Sequence, residues 1–140
     1  MTGNCDVALT RFANYQRGRA FVWGSTDCAT LTRQALKVIH NEDKWDGFVK
    51  RYDTKKGALL FVRNADPENV LVASGGCQVG RSFATAGDVA LAPEMDDHGL
   101  PAVSILLCGC KVLYSTVEDG VIIVSKHALP AGTRFYRYGE

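Results

Sequence analysis

What most constrains the fold of this chain is a change of texture near Ala86. Before that point apolar residues recur at helical spacing. After it they fall into short β-type runs bounded by turn residues: Asp88 to Leu91, Ala102 to Leu107, Lys111 to Ser115, Val121 to Ser125 and Arg134 to Tyr138. Glu118-Asp119-Gly120 reads as a hairpin turn between the third and fourth runs. Five consecutive runs imply a five-stranded antiparallel sheet or half-barrel, and their segregation from the helices gives the fold class α+β. No Pro- or Ser-rich linker separates the halves, so residues 1–140 read as one domain. A chain of 140 residues buries roughly two-thirds of its unfolded surface and needs no metal or disulfide to hold a core.

The first half divides at its capping residues. Asn4 or Asp6 can cap a helix carrying Leu9, Phe12 and Ala13 inward and ending before Gly18. Ser25 and Thr26 are cap candidates for a second helix, with Asp27 in its first turn and Cys28, Leu31, Ala35 and Val38/Ile39 on its buried stripe. Trp45, Phe48 and Tyr52 suggest a short helix, Thr54 can cap another carrying Ala58, Leu59 and Val62, and Asp66-Pro67-Glu68 opens one more that stops at Gly75-Gly76.

Composition removes several classes of function. Sixteen Lys+Arg against fifteen Asp+Glu give a net charge of +1 with the signs interleaved, so nothing recruits nucleic acid or an anionic membrane. The longest uncharged, mostly apolar run, Gly99 to Cys110, is well short of the roughly 20 residues of a spanning helix. The N-terminus lacks the basic-then-apolar order of a secretory signal, which points to synthesis in a cytoplasm. Five cysteines without C-x-x-C spacing fit neither a disulfide framework nor a zinc ribbon, so no metal or other cofactor is expected. Cys108 and Cys110, two apart in an apolar strand-like run, read as small buried hydrophobes in preference to a metal pair.

The chemistry-bearing stretch is Phe21-Val22-Trp23-Gly24-Ser25-Thr26-Asp27-Cys28. A thiol in the first turn of a helix meets unpaired N–H groups and the positive end of the dipole, which favour thiolate. The N–H of Cys28 can also point into an oxyanion hole. Against this, a Cys on a buried stripe is commonly a small core residue, Trp23 a core aromatic, and Asp27 a dipole-favoured acid.

Trp23-Gly24-Ser25-Thr26-Asp27-Cys28, with Ala86-Gly87-Asp88-Val89-Ala90-Leu91 opening a strand series, resembles the NlpC-type cell-wall peptidases of the papain-like superfamily. More closely, it resembles a small phage-encoded family of unknown function found among tail-tip genes. The resemblance extends to Arg17–Gly24 and to the Phe48…Tyr52…Thr54…Gly57-Ala58-Leu59 middle. It implies a papain-like fold with Cys28 as the nucleophile's counterpart, and Trp23 and Asp27 lining the oxyanion hole or pocket. In active NlpC-type enzymes the general-base His opens the second barrel strand; the corresponding stretch is Ala102-Val103-Ser104-Ile105-Leu106, so Ala102 stands where the base belongs. An alanine accepts no proton, and losing the base removes orders of magnitude of rate.

Of the three histidines, His40 lies about 18 Å along its helix from Cys28 and His127 follows the fourth run in a loop, which leaves His98, in Asp96-Asp97-His98-Gly99, as the candidate replacement base. The first expectation is therefore a structural component of a virion, at the phage tail tip. It would assemble in the host cytoplasm against a hub, central-tip or receptor-binding protein. The alternative is a working cysteine endopeptidase that cuts peptidoglycan stem peptides during genome entry, with Cys28 attacking and His98 as base.

Overall fold

A computed structural model describes residues 3–47, 54, 66–93 and 101–139. Its elements, in chain order, are α1 (Gly3–Gln16), α2 (Cys28–His40), α3 (Pro67–Ala73), β1 (Gly76–Val79), β2 (Val89–Ala92), β3 (Ala102–Leu107), β4 (Lys111–Thr116), β5 (Gly120–Ser125) and β6 (Arg134–Tyr138). The strands form one antiparallel sheet in the order β1-β6-β2-β3-β4-β5. The class is α+β, as the sequence implies, but with six strands in place of five. β1 escapes sequence reading because it is four residues long, begins with Gly76 and has two exposed positions, so it shows no β-type run. Its partner β6 is supplied by the far end of the chain, through Gly76↔Tyr138 to Val79↔Phe135. β6 is thereby an interior strand between β1 and β2.

Both faces of the sheet are covered, which explains why β2 and β3 read as apolar runs with little alternation. On one face, Leu31, Ala35 and Leu36 of α2 and Leu9 and Ala13 of α1 pack on Val89, Ile105 and Leu113. Each large side chain moved from water into this layer contributes roughly 1.5–3 kcal/mol. On the other face Ala90, Leu106, Val112 and Phe135 lie under Ala84 and Leu129. Here the cations of Arg81 and Lys126 stand 5.8 and 5.7 Å from the Phe135 ring. The buried Lys126 ammonium donates to the carbonyls of Arg81 and Ala84 at 2.7 and 3.0 Å, so it meets no unpaired desolvation.

α1 ends before Gly18 and α3 carries its Asp66 cap and Pro67 start, both as the sequence implies. α2 differs at both ends of its stripe: its buried positions are Leu31, Thr32, Ala35 and Leu36, while Val38 is exposed. The short helix around Phe48 and Tyr52, the helix of residues 54–62 and the turn holding His98 fall outside the described residues, Thr54 alone excepted. Trp45 is described and buried: its Nε1–H donates to the Tyr138 hydroxyl at 2.9 Å, which in turn lies 2.7 Å from Ser74 Oγ. Burial pushes the Tyr138 phenol up from its ordinary pKa. Among the described residues no helix is long and apolar enough to cross a membrane.

One bond pair seals the β5 edge close to the site. Gly18 N–H donates to Val121 O and Val121 N–H to Arg19 O, each at 2.9 Å, so the segment after α1 runs along the outermost strand. Gly120 makes this approach feasible. Its φ is +72°, and a Cβ there would collide with the Arg19 carbonyl oxygen. Gly109, in the β3–β4 turn, also has positive φ (+77°) but open space around it. Both alanine substitutions therefore carry the left-handed cost of about 1–2 kcal/mol, and Gly120→Ala alone adds a backbone clash. In urea unfolding Gly120→Ala should lose at least about 1 kcal/mol more than Gly109→Ala; equal losses would show that the Gly18–Arg19 segment does not pack on β5 this way.

Candidate functional site

The segment before α2 folds on itself through one hydroxyl. Thr26 Oγ1 donates to Ala20 O at 2.7 Å and accepts from Val22 N–H at 2.8 Å, while Thr26 N–H donates to Val22 O at 2.9 Å. Thr26 is thus occupied within the loop and does not cap the helix. That role falls to Asp27, which the sequence reading set one position later, in the first turn. Asp27 Oδ1 accepts from Thr30 N–H at 3.0 Å, and Oδ2 accepts from Gly24 N–H at 2.6 Å and Thr30 Oγ1 at 2.9 Å. The carboxylate is 3% exposed and latches the Gly24 turn (φ +78°) to the helix start. Trp23, half-buried, stacks edge-on against Phe21 with centroids 4.7 Å apart.

Cys28 is consequently the first residue of α2, and its half-buried thiol faces the sheet. Its partner is the peptide backbone of Ser115 in β4: Ser115 N–H donates to Sγ at 3.2 Å and the thiol donates to Ser115 O at 3.3 Å. The reason lies in the strand ladder. Leu106 directs both its N–H and C=O toward β2, bonding Asp88 O and Gly87 N–H at 2.9 Å each. Peptide groups alternate, so Ile105 faces β4 and opposes Leu113. Ser115, two residues past Leu113, faces the same way and would oppose Val103 if the register continued. The sulfur fills that rung instead.

This arrangement bears directly on the chemistry. With its proton on, the sulfur satisfies both the N–H and the C=O of Ser115. Ser115 itself is 5% exposed, and its Oγ has no hydrogen-bond partner among the described residues. Sequence reading missed Ser115. The available signal was a small hydroxyl on the same face as Leu113 in an otherwise apolar strand.

The described histidines lie away from the sulfur. Ala102 opens β3 opposite Ala92 and offers a methyl group. His40 closes α2, at the far end from Cys28, with its ring 6.3 Å from that of Tyr138. His127 is exposed, in a single 3-10 turn past the end of β5, six residues beyond Val121, the residue paired with Ser115. His98 lies outside the described residues. Asp88 is spoken for by the sheet: it accepts from Thr85 N–H and from Arg137 Nε and NH2, all at 2.9 Å, and this carboxylate holds the Arg137 guanidinium above its ordinary pKa. Among the described residues no three His, Cys, Asp or Glu cluster as a metal ion would require.

The Asp27 latch is testable. Asp27→Ala removes the cap and the Gly24 anchor together and should cost about 1–2 kcal/mol in urea unfolding. It should also speed alkylation of Cys28 by loosening the helix start, whereas Asp27→Asn, which keeps an acceptor, should fall between. An unchanged stability would show that the carboxylate does not hold the loop.

The comparisons with known proteins agree with this architecture. A family described as a domain of unknown function, DUF6950, matches residues 4–135. Among solved structures, the NlpC/p60 domain of the peptidoglycan hydrolase SagA is similar, with a TM-score of 0.59 and 19% identity over 96% of this chain and 98% of that one. No curated protein matches. The fold is therefore that of an NlpC/p60 domain, and the chain belongs to the DUF6950 family.

Proposed function

We propose that this chain is a structural component of a bacteriophage tail tip, an NlpC/p60-type fold in which the Cys28 thiol holds a helix to the sheet in place of attacking an amide. The observation that carries the reading is the paired hydrogen bonding between Cys28 Sγ and the N–H and C=O of Ser115. A working nucleophile passes its proton to a base; this proton is directed at a carbonyl oxygen. Ala102, at the position where the family resemblance expects the base, points the same way. The phage setting rests on the resemblance of the Trp23–Cys28 and Gly87–Asp88 segments. The partners it implies are other tail proteins, a hub, central-tip or receptor-binding protein, met in the host cytoplasm during assembly. Peptidoglycan, the substrate named for the SagA hydrolase, is the ligand of the opposing reading, in which Cys28 attacks and His98 serves as base.

Four measurements separate the two. In the structural reading, Cys28→Ala leaves the Ser115 N–H and C=O unpaired and destabilises the chain by about 1–3 kcal/mol, while Cys28→Ser restores most of the loss. Iodoacetamide at neutral pH should alkylate Cys28 at least about tenfold more slowly than the exposed Cys77. Virions of a phage encoding the chain should contain it, and purified protein should release no stem-peptide fragments from peptidoglycan. Fast Cys28 alkylation, together with fragment release abolished by both Cys28→Ala and His98→Ala, would establish the peptidase instead.

A further inference from the structure

The β3–β4 turn is built from Cys108, Gly109 and Cys110, and it does not match the expectation of two small buried hydrophobes: both cysteines are exposed. The turn is nonetheless held in place. Leu107 pairs with Lys111 at its base, and Lys126 N–H donates to Cys110 O at 2.8 Å. Cys110 has φ +58°; among the described residues the other non-glycine with positive φ is Asn41, the left-handed cap of α2. Asparagine tolerates that conformation, but for a cysteine it costs about 1–2 kcal/mol, and burial does not offset the cost because the side chain is in solvent. Packing thus accounts for neither sulfur.

We infer that Cys108 and Cys110 form a reversible dithiol at the tip of this hairpin, oxidised to an intrachain disulfide by exchange with a low-molecular-weight disulfide. Cα atoms two residues apart are separated by about 5–7 Å, which overlaps the 4.4–6.8 Å range of disulfides. In the first step one cysteine thiolate attacks a sulfur of the small disulfide, its S–S bond breaks and one small thiolate leaves. In the second, the other cysteine thiolate attacks the protein-bound sulfur of the mixed disulfide, forms the Cys108–Cys110 bond and expels the second small thiolate. Two cysteines are oxidised, one small disulfide is reduced to two thiols, and the two cysteine protons pass to those thiols. The site is distinct from Cys28, since Lys111 and Ser115 are about 13 Å apart along β4.

Exposed Cys77, on β1, supplies an internal control. The full chain, fully reduced, is exposed to oxidised glutathione, acid-quenched and mapped by mass spectrometry. The expected product at residues 108–110 is a peptide two hydrogens lighter, restored by dithiothreitol, with a glutathione adduct at least about tenfold less abundant there than at Cys77. Cys108→Ser and Cys110→Ser should each convert that product into a single glutathione adduct. Stable adducts on both cysteines, a disulfide-linked dimer through either, or thiols that stay reduced while Cys77 reacts would each overturn the inference.

Discussion

A sheet whose two faces are both buried cannot leave a peptide group without a partner, and this constraint is met at Ser115 by a sulfur. An orphaned peptide there would cost about 1–3 kcal/mol, whereas a sulfur partner bonds weakly and recovers only part of that. The bulk of the hold on α2 comes from Leu31, Ala35 and Leu36 against the sheet, each worth more than a sulfur contact. Burial therefore decides that α2 lies on the sheet, and the thiol decides where along β4 its first turn stops.

That division explains why the loop before α2 is so closely tied. If Cys28 is to reach a particular rung, the chain must enter the helix at a particular residue. The Thr26 hydroxyl closes the loop, Gly24 turns it, and the Asp27 carboxylate joins the turn to the first helical amides. The same loop begins at Arg19, whose carbonyl accepts from Val121 on β5, directly across from Ser115 on β4. Both ends of the ten-residue path from Arg19 to Cys28 are thus fastened to one β4–β5 rung.

Much of this fold is legible in the sequence because it depends on local pattern. Ala102–Leu107 and Arg134–Tyr138 are strands at the boundaries their β-type runs imply, and Asp66-Pro67 starts α3 where a cap followed by proline should. β1 is not legible, because Gly76–Val79 becomes a strand only through a partner near the other terminus. The cap of α2 is illegible for a subtler reason. Ser25, Thr26 and Asp27 are all good capping residues, and the choice falls to Asp27 only once Ala20 O and Val22 N–H have claimed the Thr26 hydroxyl. The partner of Cys28 lies 87 residues away, and no spacing rule reaches that far. Cys108 and Cys110 mislead because an apolar run continues to them, whereas the turn of the hairpin places them in water.

The Trp-Gly-x-x-Asp-Cys pattern suggests catalysis when met as letters. In the folded chain its glycine takes a left-handed turn, its aspartate caps a helix, and its cysteine completes a strand rung. Each of these duties is a folding duty, met by backbone partners among the described residues. A catalytic reading of the same letters requires that the thiol proton pass to a base and not to the Ser115 carbonyl. The energetic question at this site is therefore a competition for one proton between the Ser115 carbonyl and a base.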